Sequence, residues 1–469
     1  MNELTINLKT DSRVPLYEQI YDYIKADIQD GRIPYGEKLP STRALSRHLE
    51  VSRSTVELAY EQLLSEGYVE VEPCRGYFVA QIDELYRLKR SKSEIHKPEA
   101  PKKEYRFDFT PNGVDLNSFP YQVWRKLSRD ILLDGQTELF RTGDSKGEYG
   151  FRNAVCGYLY QARGVECTPD QVIIGAGNDY MLMLLGSILG RDHRLAFEDP
   201  TYMQAYRLFR CLSYETVPVS MDKSGMMVEE LAKTEADIAY VTPSHQYPTG
   251  IVMPVGRRQE LLKWADQEEG RYIIEDDYDS EFRYKGKPIP ALQGMDAHEK
   301  VIYLGTFSKS VAPAIRLSYM VLPMPLLERY EEKNSFIHST VSKVDQRIVQ
   351  KFIEDGYYER HLNKTRALYK GRHDALIEEL KGLSGICRIS GEHAGVHLLL
   401  HFQENRTEEE LIRLARAEGI RVYGMSDYQI IKDRPKEPTI LLGYANLTEE
   451  QIKEAVRILI QCWTKEPAR

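Results

Sequence analysis

The segment "GTFSKSVAPAIRLSYM", Gly305 to Met320, places a lysine between two serines just past the apolar run "VIYLG". An ammonium group is expensive to bury, so Lys309 at the end of such a run calls for a chemical reason. A site that lowers its pKa makes it an amine able to form a Schiff base with a carbonyl. Four more short apolar runs stop at polar clusters: "QVIIGAGNDY", "RLAFEDPTY", "IAYVTPSHQYPTG" and "RYIIEDDYDSEF". Asp276, closing "IIEDD", is a carboxylate that needs a cationic partner, and a protonated pyridine nitrogen would serve. "GAGND" opens a helix, so the N–H groups of Gly177 and Asn178 can hold a phosphate. Thr306 and Arg316 offer further phosphate donors. Tyr202 offers an aromatic face for ring stacking, and Tyr278 a phenol for a ring oxygen. Lysine, aspartate, aromatic and phosphate cup together describe a site for pyridoxal 5′-phosphate.

Taken one at a time these signals are weak. A lone loop lysine is usually a surface lysine. "EDDYDSE" alone reads as a solvated acidic loop or, less often, a metal site, and "GAGND" alone is a poor glycine signature. The set in this order carries the reading, and no metal is expected. The elements between the clusters are helical, as in "YMLMLLGSIL" and "GRRQELLKWADQEE". Strands alternating with helices imply a mostly parallel sheet, and ligands of such sheets bind beyond the carboxyl ends of the strands. The five clusters are therefore expected to converge on one cavity.

The N-terminal residues obey a different grammar. "PLYEQIYDYIKADIQDG" puts Leu16, Ile20, Ile24 and Ile28 on one face, with Pro15 near its start and Gly31 at its end. "LPSTRALSRHLEV" has Ser41 as an N-cap, with Leu45 and Leu49 facing inward. "SRSTVELAYEQLLSEGY" has Ser52 as a cap, a stripe of Val56, Ala59, Tyr60, Leu63 and Leu64, and a stop at Gly67. Two short helices joined by a tight turn predict helix-turn-helix, and "YVEVEPCRGYFVA" predicts a two-stranded wing. Arg53, near Ser52 and Thr55 at the start of the recognition helix, can reach a guanine edge or a phosphate, and so can Arg43. Arg75 and Gly76 at the wing tip suit a groove or backbone contact. Residues 1–80 nevertheless hold nine Lys and Arg against thirteen Asp and Glu, a balance of -4. A single copy should hold double-stranded DNA weakly, so a homodimer is expected.

The 469 residues suffice for about three domains. The net charge of -8 argues against a chain that coats nucleic acid or anionic membrane along its whole length. No apolar run has the length of a membrane span, and the N-terminus lacks a signal-peptide pattern, so a cytoplasmic protein is expected. Six scattered cysteines without a CxxC pair fit reduced thiols. Residues 81–104 are charged and poor in apolar types, which is linker chemistry. The expected domains are thus 1–80 for the DNA-binding head, 81–104 for a linker and 105–469 for the body. Within the body the large subdomain should cover about 150–330 and the small one about 331–469.

Both parts resemble known families. "GEKLPSTRALSRHLEVSRSTVELAYEQLLSEGYVEVEPCRGYFV" is similar to the winged helix-turn-helix of GntR-type bacterial repressors, mostly α with a β wing. From about Phe107 onward, "FDFTPNGVDLNSFPYQVWRKL" and "RTGDSKGEYGFRNAV" resemble the α/β, fold type I, pyridoxal-phosphate-dependent aminotransferases. That resemblance makes Lys309 the Schiff-base lysine, Asp276 the partner of the pyridine nitrogen, Tyr202 the stacking ring and Arg316 a phosphate ligand. The joined arrangement resembles the MocR-type transcription regulators. It implies a regulator that binds pyridoxal phosphate and DNA, and that senses an amino compound or the cofactor itself. The alternative is an active aminotransferase with an appended head. Three departures bear on that choice. Tyr247 replaces the asparagine of "NPTG", Tyr278 follows Asp276 by two residues instead of three, and Leu441 in "LLGYA" stands where the family has an arginine for the substrate carboxylate. They argue for partial transamination chemistry at most, with Arg421 as the candidate for a replacement effector clamp.

Overall fold

The computed structural model describes residues 6–9, 12, 14–81, 104–133, 137–284, 289–403, 406–432 and 437–464. Contacts divide the chain into two units, Met1–Lys102 and Lys103–Arg469. Of the expected linker, residues 82–103 lie outside the described residues.

The first unit is built as its periodicity predicts. Helix α1 (Leu16–Gln29) buries Ile20, Ile24 and Ile28, one every fourth residue. Ser41 caps α2 (Thr42–His48) by accepting from the Ala44 N–H at 3.2 Å. Ser52 caps α3 (Arg53–Ser65) by accepting from the Thr55 N–H at 3.1 Å. The stripe of α3 is Val56, Ala59, Tyr60 and Leu63, whereas Leu64 is exposed. Neighbouring residues on a helix point about 100° apart, so once Leu63 closes the buried face Leu64 must turn outward. The wing pairs β1 (Val69–Glu72) with β2 (Gly76–Val79), antiparallel, with Val69 opposite Val79. Cys74 and Gly76, both at positive φ, make its turn. A bridge from Lys38 to Phe78 extends the wing by one residue on its other edge.

The second unit starts with β3 (Phe107–Asp108), α4 (Tyr121–Leu133) and α5 (Tyr149–Arg163). An eight-stranded sheet follows, from β4 (Val172–Gly175), β5 (Arg194–Asp199), β6 (Glu215–Asp222), β7 (Gly225–Met226), β8 (Ile238–Val241), β9 (Tyr272–Asp277), β10 (Val301–Thr306) and β11 (Ser318–Val321), in the order β4-β11-β10-β9-β8-β5-β6-β7. Its centre, β10-β9-β8-β5-β6, is parallel, and β7 and β11 run against it. Alternate residues serve opposite faces: Val172, Ile174, Tyr303 and Tyr319 pack on one, Ile173, Ile302, Leu304 and Met320 on the other. Both faces are covered, which is why these strands read as unbroken apolar runs.

A second layer holds β12 (Cys387–Ser390), β13 (His397–Phe402), β15 (Tyr423–Gly424) and β16 (Thr439–Gly443) in the antiparallel order β12-β13-β16-β15. Strand β14 (Ile420–Arg421) pairs in parallel with β3, so Phe107 and Phe109 belong to this layer's core although they precede the large sheet in sequence. The 24-residue helix Tyr357–Leu380 joins the layers, with Tyr358 and Leu362 in one core and Tyr369 and Leu376 in the other. Residues 326–362, of which the sequence reading gives all after 330 to the small subdomain, pack on the large sheet through Leu327, Val349 and Phe352. Two of the scattered cysteines also meet, with the Cys167 thiol 3.5 Å from Cys156 Sγ.

Candidate functional site

The carboxyl ends of β4, β5, β8, β9 and β10 surround a cavity of about 170 Å³. Its lining includes Asn178, Tyr202, Asp276, Tyr278, Thr306, Lys309 and Arg316, so one enclosure gathers seven of the eight expected cofactor residues. Asn112, Asp179, Gln204, Thr242, Tyr247 and Ser308 complete the lining. Of these, only Tyr247 had been singled out, as a departure from the asparagine of the family motif.

Strand alternation sorts the "EDD" of β9. Glu275 faces away from the cavity and accepts the N–H groups of Leu292 and Gln293 at 2.8 and 2.9 Å. Asp277 shares that face, paired with Arg163 at 2.8 Å and accepting the Tyr303 hydroxyl at 2.5 Å. Asp276 alone opens to the cavity. It accepts from the Tyr240 hydroxyl and, at 3.1 Å, from the Asn178 side-chain amide. Burial still lifts its pKa to about 6, despite those two donors. Lys309 shows the mirror effect. Burial lowers its pKa to about 8, with Asp279 pulling the other way. Its ammonium donates to Asn112 Oδ1 at 3.1 Å and to the Pro111 carbonyl at 3.3 Å.

The phosphate end differs in detail from the sequence reading. The Gly177 N–H is engaged with the Gly175 carbonyl at 2.9 Å and is no free donor. Gly177 matters by shape: at φ 88, a Cβ there would lie 2.5 Å from the Arg316 guanidinium carbon. The side chain of Asn178 is turned to Asp276. That leaves the first-turn N–H groups of α6 (Asn178–Leu189) beside Thr306, Ser308 and Arg316. Arg316 pairs with Asp179 at 3.1 Å. Tyr202 caps α7 (Met203–Cys211), donates to Gln204 Oε1 at 3.1 Å and meets the ring of Tyr247 edge-on at 5.8 Å. The buried Tyr247 hydroxyl, close to Asn112 and Tyr428, has no well-formed hydrogen bond among the described residues. A cavity with a lysine of lowered pKa, a carboxylate short of a cation, a glycine-walled anion cup and an unsatisfied phenol fits the chemistry of pyridoxal phosphate.

Arg421 is not brought to this cavity. Its guanidinium lies 3.5 Å from the Asp108 carboxylate, over the rings of Tyr105 and Tyr423, and it lines a separate surface depression with Glu408 and Asp427. Its pairing with β3 draws it there. Leu441 is fully buried against Leu399 and Met425.

In the first unit the hydroxyls of Ser41 and Ser52 serve as helix caps, and Thr55 Oγ1 lies 2.7 Å from Ser52 Oγ. Arg43 is exposed. Arg53 is exposed and paired with Glu57 at 2.7 Å, one helical turn on. Arg75 at the wing tip is paired with Glu72 and lies over the Phe78 ring. Gly76, at φ 110, lets the wing tip turn. The exposed Lys38, beside the Phe78 ring, adds a cation that the sequence reading missed.

Residues 111–459 match the family model "Aminotransferase class I and II", and residues 16–79 match "Bacterial regulatory proteins, gntR family". The "Uncharacterized HTH-type transcriptional regulator YdeL" of Bacillus subtilis is 39% identical, covering 98% of this chain and 99% of that protein. The "Probable rhizopine catabolism regulatory protein MocR" of Rhizobium meliloti is 29% identical, over 96% and 94%. The chain belongs to the MocR-type regulators. The body of this regulator superposes on the multiple substrate aminotransferase of Thermococcus profundus with a TM-score of 0.69, at 26% identity, over 81% of this chain and 96% of that one. The regulator thus joins a DNA-binding gntR-type head to a fold type I body whose cofactor is pyridoxal phosphate. No helix among its described residues is long and apolar enough to cross a membrane.

Proposed function

We propose that the body is the sensor of this transcription regulator: an amino compound, or pyridoxal phosphate itself, binds at Lys309 and changes how the heads hold DNA. The observation that carries the reading is a division within the site. The groups that handle an amine and a pyridine ring are assembled at Lys309 and Asp276, while Leu441, at the position of the family's carboxylate-binding arginine, is sealed in an apolar cluster. When bound, the cofactor supplies an aldehyde that exchanges between amines and a ring that withdraws electrons.

The residues divide the work as follows. Lys309, with its pKa lowered to about 8, would offer the aldehyde a far larger share of free amine at physiological pH than an ordinary lysine. Asp276 meets the protonated ring nitrogen, a cation that would hold its carboxylate ionised. Tyr202 would cover a ring face, and Tyr278 would donate to the ring oxygen. Thr306, Ser308, Arg316 and the N-terminus of α6 would hold the phosphate. On the head, Arg43, Arg53, Arg75 and Gly76 face DNA, and the capped N-terminus of α3 accepts a backbone phosphate. The regulator works as a cytoplasmic homodimer, because a head with a balance of -4 needs a second copy to hold an operator.

The test is fluorescence anisotropy of operator DNA with cofactor-free protein, with pyridoxal phosphate, and then across a panel of amines. The expected result is a change in DNA affinity with cofactor or with one class of amine, lost in Lys309→Ala. Unchanged affinity throughout, together with steady transfer of amino groups to a keto acid, would overturn the reading in favour of an aminotransferase.

A further inference from the structure

Behind the cavity lies a buried polar group that the roles above leave unused. Asp279, 1% exposed, holds both carboxylate oxygens 3.0 and 3.1 Å from Nδ1 of His245, itself 3% exposed. The Tyr278 hydroxyl lies 2.9 Å from the same Nδ1. The other ring nitrogen, Nε2, has no partner among the described residues. Gly395 fixes the ring's place, because a Cβ there would strike His245 Cε1 and lie 2.8 Å from Asp279 Oδ2.

Only one arrangement of protons satisfies these neighbours. A bare Nδ1 would point its lone pair at two carboxylate oxygens, and the proton would then sit on Nε2, buried without an acceptor. With the proton on Nδ1, the N–H donates to the carboxylate, shared between its two oxygens, and the orphan Nε2 is a bare acceptor, the cheaper group to leave unmatched. A doubly protonated ring would carry the same proton on Nδ1. The adjacent His397 obeys the same rule. Its Nε2 donates to the Pro248 carbonyl at 2.8 Å, and burial pushes its pKa down to about 4, so it faces His245 uncharged.

We infer that Asp279 and His245 are positioning residues that set the direction of the Tyr278 hydroxyl proton. Because Nδ1 is a donor, Tyr278 can only accept from it, and its own O–H must point elsewhere. The elsewhere is the cavity that Tyr278 lines with Lys309, Asp276 and Tyr247. The phenol keeps its proton, since burial and the charges of Asp279 and Asp276 raise its pKa well above the ordinary value. Asp279 thus prevents His245 from capturing the hydroxyl that would otherwise serve the cofactor's ring oxygen. The inference rests on the cofactor reading given above.

The experiment follows the visible colour of full-length protein loaded with pyridoxal phosphate against pH, in the wild type, Tyr278→Phe, Asp279→Leu and the double variant. A donor to the ring oxygen favours its anionic form, so Tyr278→Phe should raise the pH of the colour change by about one unit. Asp279→Leu frees Nδ1 to capture the hydroxyl, which raises it by a similar amount, and removes a negative charge that favours the protonated nitrogen, which lowers it. In Tyr278→Phe only the second effect remains, so Asp279→Leu should move the pH about one unit further upward in the wild type than in Tyr278→Phe. Equal shifts in the two backgrounds would overturn the inference. A wild type that binds no cofactor would overturn the cofactor reading instead. Should Asp279→Leu not fold, nitrogen-15 spectra of histidine-labelled wild type take its place. They should contain a ring protonated at Nδ1 that is lost in His245→Gln, and its absence would be equally fatal.

Discussion

The head and the body handle charge in opposite ways. Arg53 and Arg75 on the head are about two-thirds exposed, and each is matched by a carboxylate one turn or one hairpin away. Their pairings, open to water, are weak enough to be exchanged for a phosphate. Around the cavity of the body, Asp276 is buried and Lys309 half-buried, and their pKa values move toward each other, to about 6 and about 8. There burial sets the charge, and the ligand must supply what is missing. A surface that exchanges partners and a cavity that demands one are what a DNA reader and a ligand sensor each require.

The largest effect that sharpens this contrast is expected at Asp276. In the fold its pKa is about 6 against an ordinary 3.8, so its contribution to stability is present below pH 3.8 and lost as pH rises through 6. Above that, the ionised carboxylate should weigh against the cofactor-free fold by about 3 kcal/mol. Asp276→Asn keeps the acceptor for Tyr240 and Asn178 without the charge. Its cofactor-free form should gain stability over wild type at pH 8 and not at pH 4, as read by urea unfolding. Pyridoxal phosphate affinity should nevertheless fall by about a hundredfold, since the pyridinium loses its buried counter-ion. A variant less stable at both pH values would mean that Asp276 is held by its donors and is not waiting for a ligand.

Much of this was legible in the sequence because strand ends announce themselves. Five apolar runs of the buried sheet stop where their carboxyl ends reach the cavity, so Tyr202, Asp276, Thr306 and Lys309 could be placed from local pattern. The caps Ser41 and Ser52 were legible for the same reason. What stayed hidden depends on contacts between distant segments. Nothing local says that Asn178 turns to Asp276, 98 residues away, or that Gly177 clears space for Arg316. Arg421 looked like a clamp because its pairing with β3 cannot be seen from its own neighbours. His245 and Asp279 were passed over because their value lies in facing each other.

A smaller effect tests the head. Arg53→Ala should weaken operator binding by about tenfold to a hundredfold, the span of one lost base or phosphate contact. Cofactor colour and its titration should not change, because Arg53 is an exposed side chain whose partner is Glu57 on its own helix. Loss of both functions in parallel would mean that the two regions fold or act as one.

The smallest effect is the most specific. Arg53 donates to Glu57 at 2.7 Å, so reaching DNA means leaving that carboxylate, which also repels the incoming phosphate. The pair is exposed and spaced i to i+4, where such contacts contribute about 0.3–0.5 kcal/mol. Glu57→Gln should therefore tighten operator binding only about twofold, and the gain should shrink as salt rises. Glu66→Gln makes the same change of charge nine residues further along, about 13 Å by helical rise and beyond a Debye length of about 8 Å. Glu66 is engaged with Lys25 and Tyr21 at the far end of the helix from Arg53. It should leave operator affinity unchanged at physiological salt. Equal tightening by both variants would show that the head responds to its total charge, and that Glu57 is not a local competitor for Arg53.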